Sequence, residues 1–150
     1  MNKSGSLLVV LTLVSPLLLA QKSISIDDFT TRSTFAERSV SGINWMHDGK
    51  YYTALGENKV VRYDITTGTP VETLVDGGSL PTPIVIDGYS FSADESKMLL
   101  QTQRQSIYRR SFIAEYFVYD RNTKKLAPLS SGGRQSYATF SPDGSKIAFV

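Results

Sequence analysis

Beyond residue 40 the apolar positions fall into short alternating or continuous runs separated by polar turns, and one order recurs three times. Residues 43–55 (INWMHDGKYYTAL), 89–101 (YSFSADESKMLLQ) and 138–150 (ATFSPDGSKIAFV) each place an aromatic residue three positions before an Asp. After two intervening residues a strand with apolar alternation begins. The aromatic anchors Trp45, Phe91 and Phe140 lie 46 and 49 residues apart, and the turn acids are Asp48, Asp94 and Asp143. Each segment predicts two short strands joined by a tight turn, with second strands over 51–55, 97–102 and 146–150. In Ser141-Pro142-Asp143-Gly144 the Pro sets φ and the Gly accepts positive φ, a type I turn signature. The Asp carboxylate is expected to bond the backbone just beyond it.

A second feature recurs between these turns. Residues 60–64 (VVRYD) and 117–120 (FVYD) each end on Tyr-Asp, pass through a polar turn, and lead to a further run at 70–75 and 125–129. The unit is thus four strands over about 45 residues without a helical period, which is the signature of β-propeller blades. The expected fold class is all-β, a partial β-propeller of about two and a half four-stranded blades. A propeller closes with roughly 180–360 residues in 4–8 blades, so this chain reads as the N-terminal part of a longer protein.

The first twenty residues carry a different pattern. Lys3 precedes an apolar run from Leu7 to Ala20, interrupted only by Thr12, Ser15 and Pro16. Fourteen residues fall short of the ~20 that a spanning helix needs. The pattern fits a secretory signal cleaved after Ala20, so residues 1–20 are read as signal peptide and 21–40 as a leader entering the propeller, with the blades over 41–150. No Cys follows to take a lipid anchor. The expected location is outside the cytoplasm, periplasmic or secreted.

Composition narrows the chemistry further. A net charge of +2 gives no electrostatic footprint for nucleic acid. With no Cys and a single His, disulfide scaffolds, thiolate metal sites, two-His metal sites and a cysteine nucleophile are all excluded within these 150 residues. No Gly-x-Ser-x-Gly elbow occurs either. His47 occupies a turn position and reads as a turn residue. Asp27 and Asp28 are expected to cap a helix, Asp64 and Asp120 to close turns, and Trp45, Phe91 and Phe140 to pack between blades. Gly77-Gly78 and Gly132-Gly133 follow the fourth strands with no Lys-Ser/Thr to make a phosphate cradle. No cofactor or metal is implied.

One stretch breaks the repeat. Asp64 to Asp120 spans 56 residues, and much of the excess sits at 103–111 (QRQSIYRRS), which holds Arg104, Tyr108, Arg109 and Arg110 and no acid. Extended loops on rigid scaffolds are where binding residues concentrate, and Arg offers a planar fork of donors for carboxylates and carbonyls. By itself the stretch reads first as a solvated hairpin tip whose arginines keep an edge soluble.

Tyr108, Arg109, Ser111, Ala114, Tyr116, Tyr119 and Asp120 resemble a segment of the dipeptidyl peptidase IV subgroup of the prolyl oligopeptidase family, an aromatic-Arg-x-Ser followed by Ala-x-Tyr-x-x-Tyr-Asp. Residues 89–94 (YSFSAD), 26–29 (IDDF) and 139–144 (TFSPDG) resemble other segments of the same family in the same order. The resemblance implies a secreted serine exopeptidase that removes dipeptides with Pro or Ala in second position. Its eight-bladed propeller would cap a C-terminal α/β-hydrolase domain holding a Ser-Asp-His triad outside this chain. It also implies a propeller Arg that bonds substrate backbone and a Glu pair, beyond Val150, that binds the free N-terminus. Arg109 falls on the Arg position, with its neighbours Arg110 and Tyr108 as secondary candidates. The implied partners are the peptide substrate, the hydrolase domain and a possible homodimer, with no nucleic acid and no membrane span. The rival reading is a non-enzymatic extracytoplasmic propeller that scaffolds protein partners.

Overall fold

The structure is a computed structural model that describes residues 24–30, 35 and 40–150. The expected signal peptide lies outside the described residues, as does much of the leader. The chain divides into two units, Met1–Arg38 and Ser39–Val150. In the first, α1 (Ile26–Thr30) is a single short helix. The Ser25 hydroxyl accepts the Asp28 N–H at 3.3 Å, and Asp28 Oδ2 accepts the Ser25 N–H at 2.9 Å. This reciprocal pair satisfies two helix-end donors, so Ser25 is the cap and Asp28, of the acidic pair, its partner in the first turn.

The second unit is built of antiparallel strands. β1 (Ser41–Trp45), β2 (Tyr51–Gly56), β3 (Lys59–Asp64) and β4 (Pro70–Asp76) form one sheet in sequence order. β5 (Gly88–Phe91), β6 (Lys97–Ser106), β7 (Phe112–Asp120) and β8 (Leu126–Pro128) form a second with the same order. β9 (Thr139–Phe140) and β10 (Ile147–Ala148) make a hairpin. All-β architecture and the four-strand unit follow the sequence pattern, while β10 is shorter than the apolar run at 146–150.

The repeat turns close as their residues dictate. Oδ1 of Asp48, Asp94 and Asp143 accepts the N–H of Lys50, Ser96 and Ser145 at 2.8, 3.1 and 3.0 Å. The residue after each Asp is left-handed, with φ of 67° at Gly49, 57° at Glu95 and 67° at Gly144. Glu95 is the exception to glycine, and it is held by contacts at both ends. Its carboxylate accepts the His47 N–H at 2.7 Å, and its carbonyl accepts the Arg121 guanidinium at 2.6 Å. Asp64 and Asp120 close their turns likewise, accepting Thr67 N–H at 2.9 Å and Thr123 N–H at 2.8 Å. His47 is a turn residue with an exposed side chain.

Packing runs from sheet to sheet. One face of the first sheet contributes Leu55, Val60, Leu74 and Val75 to a core shared with Phe91, Met98, Leu100 and Tyr119 of the second. The reverse face of the second sheet presents Leu99, Ala114, Tyr116 and Val118 to Phe140 and Ile147 of the hairpin. Full burial of a large apolar side chain contributes about 1.5–3 kcal/mol, so these two layers carry the unit. Phe91 and Phe140 therefore pack between sheets, as expected of the repeat anchors. Trp45 does not: it is 69% exposed, since no described residue covers that side of the first sheet. There Trp45, Tyr52 and Tyr63 stand opposite one another in register. Their rings are stacked or tilted with centroids 5.9 and 5.2 Å apart.

A pinned linker joins the sheets. Glu57 and Asn58 have φ of 50° and 63°, a type I′ hairpin turn between β2 and β3. Asn58 Nδ2 donates to the Ile84 carbonyl at 2.9 Å, and its Oδ1 accepts the Ile86 N–H at 2.8 Å. Gly77 donates to the Asn58 carbonyl at 3.0 Å and accepts from Ile84 N–H at 3.0 Å.

Candidate functional site

The hairpin of β6 and β7 is the longest in the molecule as described, and it outgrows its own sheet. β5 pairs with β6 no further than Gln101, and β8 pairs with β7 no further than Phe117. Beyond these points Thr102–Ser106 and Phe112–Glu115 continue as a two-stranded arm, about 17 Å long at ~3.3 Å per residue. The insertion at 103–111 is therefore mostly strand, and only residues 107–111 make the tip. A bulge sits inside the arm, where Thr102 pairs with Glu115 and Gln105 with Ile113. The extra residue is absorbed at Gln103, whose φ is 52°.

A lone two-stranded ribbon is marginal in water, and this one is held from both sides. On one side Asp87 Oδ2 accepts the Arg104 N–H at 2.9 Å. On the other, Ala114 and Gln135 exchange backbone hydrogen bonds at 2.9 and 2.8 Å. They fill the position that β8 leaves open after Pro128. The Ser136 hydroxyl donates to the Phe112 carbonyl at 2.8 Å. The Arg134 guanidinium bonds the Gln105 and Gln103 side-chain carbonyls, and Gln103 Nε2 donates across the arm to Glu115 at 3.2 Å. The Arg104 guanidinium lies 4.2 Å over the Phe112 ring, a cation–π contact near the root of the tip.

The tip closes by hydrogen bonds from Ile107 N–H and Tyr108 N–H to the Ser111 carbonyl, at 2.8 and 3.2 Å. Tyr108 is 80% exposed, and Arg109 and Arg110 are exposed beside it. Neither guanidinium makes a hydrogen bond, ion pair or ring contact among the described residues. The three sequence candidates are thus brought together at the end of a braced arm, with two arginine forks free for a ligand. Nearer the root, burial pushes the Tyr116 hydroxyl up, with the charge of Arg104 acting the other way. Sequence reasoning missed the braces, Asp87, Arg134, Gln135 and Ser136. Their pairings span 17 to 31 positions, and no local pattern announces them.

No cluster of three or more metal-ligating side chains occurs among the described residues. No described helix is long and apolar enough to cross a membrane.

Residues 92–150 match the family model of the dipeptidyl peptidase IV N-terminal region, which takes in the arm and its tip. This match and those that follow support reading the chain as an N-terminal fragment of a dipeptidyl peptidase IV family member. The chain is 33% identical over 119 residues to a probable dipeptidyl peptidase 4 of Aspergillus flavus, covering 78% of this chain and 15% of the relative. Dipeptidyl peptidase 4 of Trichophyton rubrum is 32% identical over 133 residues, covering 86% of this chain and 17% of the relative. The crystal structure of Porphyromonas gingivalis dipeptidyl peptidase 4 superposes with a TM-score of 0.75 at 34% identity. That match covers 87% of this chain and 19% of the solved one. The chain thus spans less than a fifth of the length of these family members.

Proposed function

We propose that this chain is the substrate-holding N-terminal part of an exported dipeptidyl peptidase IV-like serine exopeptidase that releases X-Pro and X-Ala dipeptides. Its four-stranded sheets are the first blades of a β-propeller. The observation that carries the reading is the arm tip: a Tyr108-Arg109-Arg110-Ser111 turn with free guanidinium groups, braced on a rigid sheet, within a chain similar to this family. Support for the propeller comes from the repeat. Trp45, Tyr52 and Tyr63 occupy the first-sheet positions that Phe91, Met98 and Tyr119 occupy in the second, and those are packed against a preceding sheet.

A dipeptidyl peptidase has to hold two residues of extended backbone with the scissile carbonyl fixed before the nucleophile. Arg109 supplies that hold by donating from its guanidinium to a substrate backbone carbonyl. Such a bond to a charged donor contributes about 1.5–3 kcal/mol, and positioning of the reacting carbonyl adds to kcat as well as to binding. The catalytic Ser, His and Asp and the Glu pair for the substrate amine belong to parts of the intact protein outside these residues.

The test is hydrolysis of an X-Pro chromogenic dipeptide by the intact protein and by Arg109→Ala. The parent is expected to cleave it, and the variant to lose roughly 10–100-fold in kcat/KM without loss of folding. A folded, intact parent that leaves X-Pro and X-Ala substrates uncleaved overturns the reading, and an Arg109→Ala variant with parental kcat/KM removes Arg109 from it.

A further inference from the structure

The bracing of the arm has a direction. Asp87 takes a single backbone N–H on one side, whereas residues 133–136 take hold of the other side at three levels. Ala114 is bridged at mid-arm, Gln105 is grasped by the Arg134 guanidinium further out, and the Phe112 carbonyl is capped by the Ser136 hydroxyl beside the tip. Gln135 at the centre is buried, so this segment is itself anchored. Left-handed Gly133, with φ of 86°, turns the chain into this course after β8.

We propose that residues 133–136 are the strut that sets the position of the arm, and that Arg134 and Ser136 are positioning residues for Arg109. The inference rests on the substrate-holding role given to Arg109 above and adds the element that aims it. The physical need is plain. A ribbon of two strands twists and bends freely about its root, and displacement at its root is magnified at the tip. Ser136 and Arg134 act at Phe112 and Gln105, the last paired residues before the tip and their neighbours, where restraint has most leverage on residues 107–111. Both act through side chains. They can be removed without touching the Ala114–Gln135 backbone bridge.

The experiment uses the intact protein with Arg134→Ala, Ser136→Ala and Arg134→Lys, each alone and combined with Arg109→Ala. Kinetics on an X-Pro chromogenic dipeptide are read together with Tm and with the rate of tryptic cleavage after Arg109 and Arg110. Arg134→Ala and Ser136→Ala are expected to lower kcat/KM by about 2- to 10-fold, the range carried by one such hydrogen bond. The same variants speed cleavage at the tip and leave Tm unchanged, while Arg134→Lys, which keeps a donor, recovers most of the activity. In the Arg109→Ala background neither substitution costs anything more, because a positioning residue has nothing left to position. Parental kcat/KM and tip cleavage in both alanine variants overturn the proposal. So does a loss that persists undiminished beside Arg109→Ala. Failure of the underlying reading looks different: there Arg109→Ala is itself silent.

Discussion

Asp94 and Asp143 hold their turns as carboxylates. The Ser92 hydroxyl, followed by the side chain and backbone N–H of Ser96, draws the Asp94 carboxyl down to about 2. At Asp143 the Ser141 hydroxyl and then Ser145 do the same, again to about 2. Asp64 and Asp120 are lowered too, chiefly by the backbone N–H groups of Thr67 and Thr123. A folded value below the unfolded one, near 3.9, means the unfolded chain takes up protons first as pH falls. The stabilisation is therefore complete above about pH 5 and is lost as pH drops from about 4 towards 2. Thermal unfolding of the intact protein is expected to show a Tm level from pH 7 to 5 and falling below 4. Asp143→Asn should lower Tm at neutral pH, and that difference should shrink towards pH 2. Equal Tm gaps at pH 7 and pH 2 would contradict the assignment. These turns were legible from sequence because Asp, Ser and Gly act within five positions of one another. The left-handed Glu95 was not, since what holds it comes from His47 and Arg121, 48 and 26 positions away.

The arm and the pinned linker are where elements depart from what local pattern conveys. Gln103, Arg104, Gln105 and Ser106 show no alternation, because all four are exposed and the arm's buried face is supplied by Thr102 and Ala114 instead. Strand pairing continues there through backbone bonds, with the Gln103–Glu115 hydrogen bond and the Arg104–Phe112 contact added across the arm. The tip residues carried a recognisable order, but the strut did not, since its bonds join segments with no common periodicity. The linker tells the same story through Gly77. A Cβ at this position would meet the Ile84 carbonyl oxygen at 2.5 Å and the Asn58 amide at 2.7 Å. Both are partners in the linker's own hydrogen bonds, so neither can retreat without breaking one. Gly77→Ala is expected to cost about 1–3 kcal/mol, the usual penalty for overfilling a packed site. Gly78→Ala, whose added Cβ would meet only Asp76 Oδ1 at 3.4 Å, close to ordinary van der Waals contact, should cost much less. Denaturant midpoints for the two variants check the contrast, and equal shifts would refute it.

At the scale of the molecule, among the described residues the second sheet packs on both faces while the first packs on one. The four-strand repeat and its anchors made this stacking legible in the sequence, because each anchor falls at the same place in its unit. What the pattern could not convey was that Trp45 would stand clear, since repeat position alone says that a face wants a cover and not whether one is present. Trp45 is exposed at the end of a row whose Tyr52 and Tyr63 are half-buried, and large exposed apolar faces mark places where something docks.

That row also makes the chain self-reporting. Trp45 is the only tryptophan in the 150 residues, so every photon of indole emission comes from this one face. While the face is bare, the emission should be red, the ring hydrated, and a neutral quencher such as acrylamide able to reach it. When another sheet settles over Tyr52 and Tyr63, the spectrum should move to the blue and quenching should fall. A titration of this chain with the remainder of its protein can be followed by that colour change alone. A blue, unquenched Trp45 in the isolated chain would show instead that copies had already hidden the face from one another.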